Sequence, residues 1–116
     1  MPIIKVWCLP PKQTEQNLNR LHQAIVAAII SILELGLKDE TEMTCLFPSD
    51  SMSYGLGEEI IVEISGLFEK PERTESVRQL LAEKVGKAVY ALYPKTNKVE
   101  CLVYSFNPKQ GFWTSS

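Results

Sequence analysis

Two long stretches of helical periodicity, each set between runs of strand-type residues, constrain this chain more than any other feature. In the first, Leu18, Leu21, Ile25, Ala28, Ile29, Ile32 and Leu33 fall on one stripe, the spacing of an amphipathic helix. Thr14 is placed to cap its start and Gly36 to stop it, which predicts a helix from 14 to about 35. In the second, Val77, Leu80, Leu81, Val85, Ala88, Val89 and Leu92 line a helix over about 73–93, ended by Pro94. Strands are predicted over about 3–8, 42–47, 59–66 and 99–106, with a turn-rich segment at 49–57 and a connector at 68–72. The order is strand, helix, strand, twice over. Such connections suit parallel crossovers. The expected fold class is therefore α/β: two diverged βαβ units forming one four-stranded sheet with both helices on one face. Nothing in the composition marks a boundary, and 116 residues suit a single domain spanning 1–116.

Alternation along the strands sorts their residues into two faces. One set is wholly apolar: Ile4, Val6, Cys8, Met43, Cys45, Phe47, Ile60, Val62, Ile64, Val99, Cys101 and Val103. This set is expected beneath the helices, and packing accounts for all three cysteines on it. The other set is mixed: Ile3, Lys5, Trp7, Thr44, Leu46, Ile61, Glu63, Ser65, Leu102, Tyr104 and Phe106. A solvated face rarely gathers so many large apolar groups, so a covering partner is expected there. A closed ring of identical subunits fits, with Lys5 and Glu63 paired or facing a channel.

Several function classes are disfavoured. The formal net charge is -2 with no basic run, and nucleic-acid binding rests on phosphate neutralisation by Lys and Arg. The apolar run 24–33 is broken by Ser31 and is too short for a bilayer. No basic stretch precedes it, so no secretory signal and no membrane partner are expected. Three cysteines leave an odd one in any pairing and match no zinc spacing. Reduced thiols in the cytoplasm are the expectation. His22 lies beside the first stripe without a second ligand, so it reads as a packing residue and no metal is expected. No nucleophile motif surrounds a serine, Gly55-Leu56-Gly57 is too short for a phosphate loop, and no cofactor is expected.

Pro2 opens the first strand. Removal of Met1 would make its ring nitrogen an N-terminal secondary amine, a base no internal residue can supply. A free α-amine titrates near pH ~8. Desolvation or a nearby cation lowers that value, leaving the neutral form that a general base needs.

The Met1-Pro2-Ile3 opening and the doubled βαβ layout resemble the tautomerase superfamily over nearly the whole length. Two segments are similar to its macrophage migration inhibitory factor branch: Pro48-Ser49-Asp50-Ser51-Met52-Ser53-Tyr54-Gly55, and Tyr104-Ser105-Phe106-Asn107-Pro108-Lys109-Gln110-Gly111-Phe112-Trp113. The resemblance implies a homotrimer with active sites near subunit boundaries around the N-terminal proline. It implies a cofactor-independent tautomerase or isomerase that moves a proton in a small enol or dienol 2-keto acid, with Pro2 as the acid–base. Some relatives with a protonated proline hydrate or dehalogenate unsaturated acids instead. The alternative is a catalytically silent trimer that keeps the scaffold for protein contacts.

The resemblance also nominates substrate-binding residues. Lys38 follows Gly36 with Leu37 between, one position off the branch pattern; it is either a carboxylate partner or a solvated cation at a helix end. Lys70 and Arg73 stand in the connector after the third strand. Arg73 is either a bidentate carboxylate ligand or the ion-pair partner of Glu69 or Glu75. Asn107 either hydrogen-bonds substrate or opens an Asn-Pro turn. Phe68, Tyr104, Phe112 and Trp113 either wall an apolar pocket or pack at an interface.

Overall fold

The computed structural model of the protein describes residues 1–49 and 59–116. Its strands are β1 (Ile3–Trp7), β2 (Thr44–Leu46), β3 (Glu59–Phe68) and β4 (Lys98–Phe106), and its helices α1 (Glu15–Ile30) and α2 (Glu75–Leu92). They form one sheet in the order β2-β1-β3-β4. β1 pairs parallel with β2, and β3 parallel with β4. The two βαβ halves join where β1 runs antiparallel to β3.

The expected faces are the observed ones within the strands, except that Cys8, expected on the apolar face, lies past the end of β1 at Trp7, where a left-handed φ of 66° breaks the alternation. Ile4, Val6, Ile60, Val62, Ile64 and Met43 are buried together with Leu21, Ile25 and Ile29 of α1 and Leu81, Val85 and Val89 of α2. Cys45, Phe47, Val99, Cys101 and Val103 pack around the margin of this core. Burial pushes the Cys45 thiol up to about 11 and the Cys101 thiol up to about 12, because a thiolate there would lose its solvation. These are packing residues, as the alternation predicts.

α1 begins at the predicted Thr14 cap, and α2 begins two residues after the predicted start, capped by Thr74. The Thr14 hydroxyl accepts from the Asn17 N–H at 3.0 Å and the Thr74 hydroxyl from the Val77 N–H at 3.3 Å, each satisfying an otherwise orphaned donor. The end of α1 corrects the expectation of a helix reaching residue 35. The Ser31 hydroxyl donates to the Ala28 carbonyl at 2.7 Å and accepts from Lys84 Nζ of α2 at 3.0 Å. Ile32 is extended, and Leu33–Leu35 forms a separate 3-10 turn. The helical stripe therefore fails at its last member: Leu33 is 85% exposed, while Leu35 is buried in its place. Gly36 does close this segment, at φ 69°, with its N–H on the Leu33 carbonyl at 3.0 Å. A second 3-10 turn, Glu40–Glu42, shortens the second strand at its start. Its Asp39 cap accepts from the Thr41 hydroxyl and, at 2.8 Å, from the Thr41 N–H, which holds the carboxyl below its ordinary value.

β3 runs two residues further than predicted, through Phe68. Of the segment 48–55, only Pro48 and Ser49 are described, and Gly55-Leu56-Gly57 lies outside the described residues.

Candidate active site

The topology gathers one group of chain ends at one end of the sheet: the starts of β1 and β2 and the finishes of β3 and β4. Pro2 is there, buried, immediately before β1. Its carbonyl accepts the Thr44 N–H at 3.0 Å, the first rung between β1 and β2. On its other side lies β3, with Ile3 opposite Ser65. There β3 bulges: Ile64 pairs with Val103 but Leu67 with Ser105, one residue more on β3 than on β4. Gly66 occupies the bulge at φ 68°, a left-handed conformation that suits glycine. An added Cβ there would stand 3.2 Å from the Met1 carbonyl oxygen and 3.9 Å from Pro2 Cα. The backbone of Gly66 thus lies directly against the Met1-Pro2 peptide.

Beyond the bulge, Phe68 and Phe106 face each other across β3 and β4 with ring centroids 6.0 Å apart. Phe112 completes the cluster edge-to-face on Phe68 at 4.9 Å. Its return is arranged by the turn at Asn107, whose side-chain oxygen accepts from the Lys109 N–H and whose carbonyl accepts from the Gln110 N–H, both at 3.0 Å. Asn107 therefore makes the Asn-Pro turn of its second reading. Trp113, one residue on, is 82% exposed, and Tyr104 stands open on the sheet.

Arg73 is 6% exposed. Its guanidinium donates to the Phe68 carbonyl at 2.9 Å and to the Leu35 carbonyl at 2.7 Å. Nε, also buried, has no partner among the described residues. Burial lowers its pKa from the ordinary value, opposed by the charge of Glu72; an arginine stays protonated nonetheless. The partners are main-chain carbonyls, not Glu69 or Glu75. Arg73 ties the end of β3 to the turn that leads through Gly36 to Lys38. Lys38 is exposed, its N–H on the Glu42 carboxylate. Lys70 is exposed too, and its carbonyl accepts the Arg73 N–H at 3.0 Å.

The sheet end thus collects Pro2, Phe68, Lys70, Arg73 and Asn107, with Lys38 on the adjoining turn and Trp113 at the periphery. Reading the sequence missed Gly66, although a lone glycine inside a strand pattern is a signal of a bulge or a close approach. An open groove of about 630 Å³ between α1 and β2, lined by Glu15, Leu18, His22, Cys45 and Phe47 among others, does not include Pro2. His22 Nδ1 is 3.9 Å from a Glu40 carboxylate oxygen. No group of three His, Cys, Asp or Glu among the described residues is arranged to hold a metal. No helix there is long and apolar enough to cross a membrane.

No family model matches this sequence, and no curated protein is similar to it in sequence. Solved structures match its fold. A fused wild-type 4-OT (4-oxalocrotonate tautomerase) forming an asymmetric trimer superposes with a TM-score of 0.74 at 14% identity, over 97% of this chain and 92% of that one. Pt0534, a protein inactivated by 2-oxo-3-pentynoate, gives 0.70 at 11% identity, over 98% and 91%. A malonate semialdehyde decarboxylase gives 0.62 at 11% identity, over 100% and 90%. At these identities the likeness is one of fold.

Proposed function

Since the chain carries the tautomerase fold, we propose that it is a cofactor-independent isomerase. It moves a proton within a small enol or dienol 2-keto acid, with Pro2 as the acid–base once Met1 is removed. The observation that carries this reading is a buried proline at the second position, set beside a Gly66 bulge at the end of the sheet that bears an aromatic cluster. Once Met1 is gone, a site that keeps water out would disfavour the charged amine and keep the lone pair available to a general base. The neutral nitrogen takes the enol hydroxyl proton, and the oxygen's electron pair forms the carbonyl. The former C=C pair then takes a proton at the far carbon from the pyrrolidinium. Charge and oxidation level are unchanged.

Lys38, Lys70 and Arg73 supply the positive charge for the substrate carboxylate. Arg73 has already committed two N–H groups to carbonyls, so its share is the smaller. Phe68 and Trp113 shield the reacting carbons, and Asn107, whose side-chain oxygen already holds the turn, has only its amide NH2 to offer. The protein acts as a cytoplasmic homotrimer, closed over the apolar face of the sheet that the helices leave bare, and needs neither nucleic acid nor membrane.

The test joins intact mass of the protein from its native source to an enol-pyruvate ketonisation assay of wild type and Pro2→Ala. Loss of Met1 and a fall in kcat/KM of about 10²–10⁴ in Pro2→Ala are expected. A retained methionine, or turnover indifferent to Pro2, overturns the reading. A processed chain with no Pro2-dependent turnover across a panel of enol and dienol acids favours the scaffold alternative.

A further inference from the structure

We propose that Gly66 is the residue that keeps the approach to the Pro2 nitrogen open, because it carries no side chain there. The inference rests on the reading of Pro2 as the reactive amine. The Met1 carbonyl carbon is bonded to the Pro2 nitrogen, so its oxygen marks the space two bonds out from that nitrogen. This is the space a substrate enters when Met1 has gone. A Cβ at residue 66 would stand 3.2 Å from that oxygen, 3.9 Å from Pro2 Cα and 4.0 Å from the Ile3 nitrogen. It would crowd whatever atom takes the oxygen's place.

Gly36 supplies the contrast. It has nearly the same φ, 69° against 68°, yet an added Cβ there meets nothing within 4 Å. Both glycines answer a conformational need that ordinary residues meet only with strain. At Gly66 alone does a side chain also invade the approach to Pro2. The conformational and the steric roles are therefore separable within one molecule.

The experiment compares Gly66→Ala, Gly66→Asn and Gly36→Ala, each shown by intact mass to have lost Met1. Asparagine tolerates the left-handed region better than alanine, so Gly66→Asn retains the fold should Gly66→Ala melt. The first readout is the rate at which cyanate carbamoylates Pro2, followed by the mass of the N-terminal peptide. The amine N–H adds across isocyanic acid and nothing leaves. The product carries a carbonyl on the Pro2 nitrogen, as the Met1 peptide does. The second readout is kcat/KM for enol-pyruvate ketonisation.

Both Gly66 variants are expected to slow both reactions by about tenfold or more, and Gly36→Ala to stay within about twofold of wild type, since small displacements at a reacting centre cost such factors. Carbamoylation of Gly66→Asn as fast as that of Gly36→Ala overturns the proposal. Slow carbamoylation of the Gly66 variants in a protein without turnover supports the open approach while sinking the isomerase reading, so the two failures are distinguishable.

Discussion

Neighbouring residues of the same strands have opposite surroundings on the two faces of the sheet. Ile4, Val6, Ile60, Val62 and Ile64 lose virtually all contact with solvent beneath α1 and α2. Between them, Ile3, Trp7 and Ile61 are half-buried, and Leu46, Leu102 and Tyr104 stay exposed. Both faces are rich in apolar groups, and among the described residues the helices cover only one of them. The bare face still arranges its polar atoms. Trp7 Nε1 donates to a Glu63 carboxylate oxygen at 2.5 Å, a diagonal contact between β1 and β3. Lys5 stands opposite Glu63 in register without forming an ion pair with it among the described residues, so of the two expectations, a pair or a channel-facing position, the pair gives way to the indole. A face whose polar groups bond one another can be covered with fewer orphaned donors. The comparison teaches that apolar alternation marks a surface for burial but does not name what buries it.

The largest test of this contrast lies on the covered side. Leu81→Ala opens a cavity beneath α2 and is expected to lower unfolding free energy by about 2–5 kcal/mol, read as a shifted urea midpoint at constant slope. A loss as small as that of a surface substitution would erase the difference between the faces. Next is the seam at the end of the sheet. Arg73→Met leaves the Leu35 and Phe68 carbonyls without their donor and is expected to cost about 2–4 kcal/mol. Arg73→Lys, with a single ammonium in place of the planar fork, is expected to restore part of it. Indifference to both changes would mean that the guanidinium does not tie these segments together.

A pH titration sharpens the contrast further. The Cys101 thiol, raised by burial from 9.0 to about 12, keeps its proton in the folded chain after the unfolded chain has released it. Stability from this group is complete below about pH 9 and falls as pH rises, by about 1.4 kcal/mol per pH unit until the folded thiol ionises. Cys101→Ala is expected to flatten that decline. Equal slopes in the two proteins would show that Cys101 is not desolvated. The smallest effect on the chain itself belongs to the bare face. Leu102→Lys places a cation opposite Glu63 and is expected to change the stability of the single chain by less than about 0.5 kcal/mol, while sedimentation is expected to show the proposed homotrimer dispersing. An intact assembly would sink the view that this face is the covered one.

Much of the architecture was legible because it is periodic. The strand faces, both helical stripes apart from the exposed Leu33 and Leu80, and the Thr14 cap follow from the spacing of side chains and the chemistry of one hydroxyl. The end of α1 was not, since Ser31 stops the helix with a hydrogen bond to Ala28 and another from Lys84, fifty-three positions away. Arg73 read as a carboxylate ligand or an ion-pair partner because those are the partners that sequence suggests for arginine. Its actual acceptors are carbonyls, one of them thirty-eight positions back. The Phe68–Phe112 contact likewise depends on the turn at Asn107, and the meeting of Gly66 with Pro2 on the register of β1 against β3.

By itself, then, the sequence determined which residues share a face, where helices begin, and that a proline opens the first strand. Each is a local matter of spacing, capping and chain order. Only the tertiary structure decided that the Gly66 bulge lies against Pro2, and that Arg73 spans the end of β3 and the turn before Lys38. Those meetings arise from strand register and from helices packing on a shared core, and both couple residues too far apart in the chain for any local pattern to record.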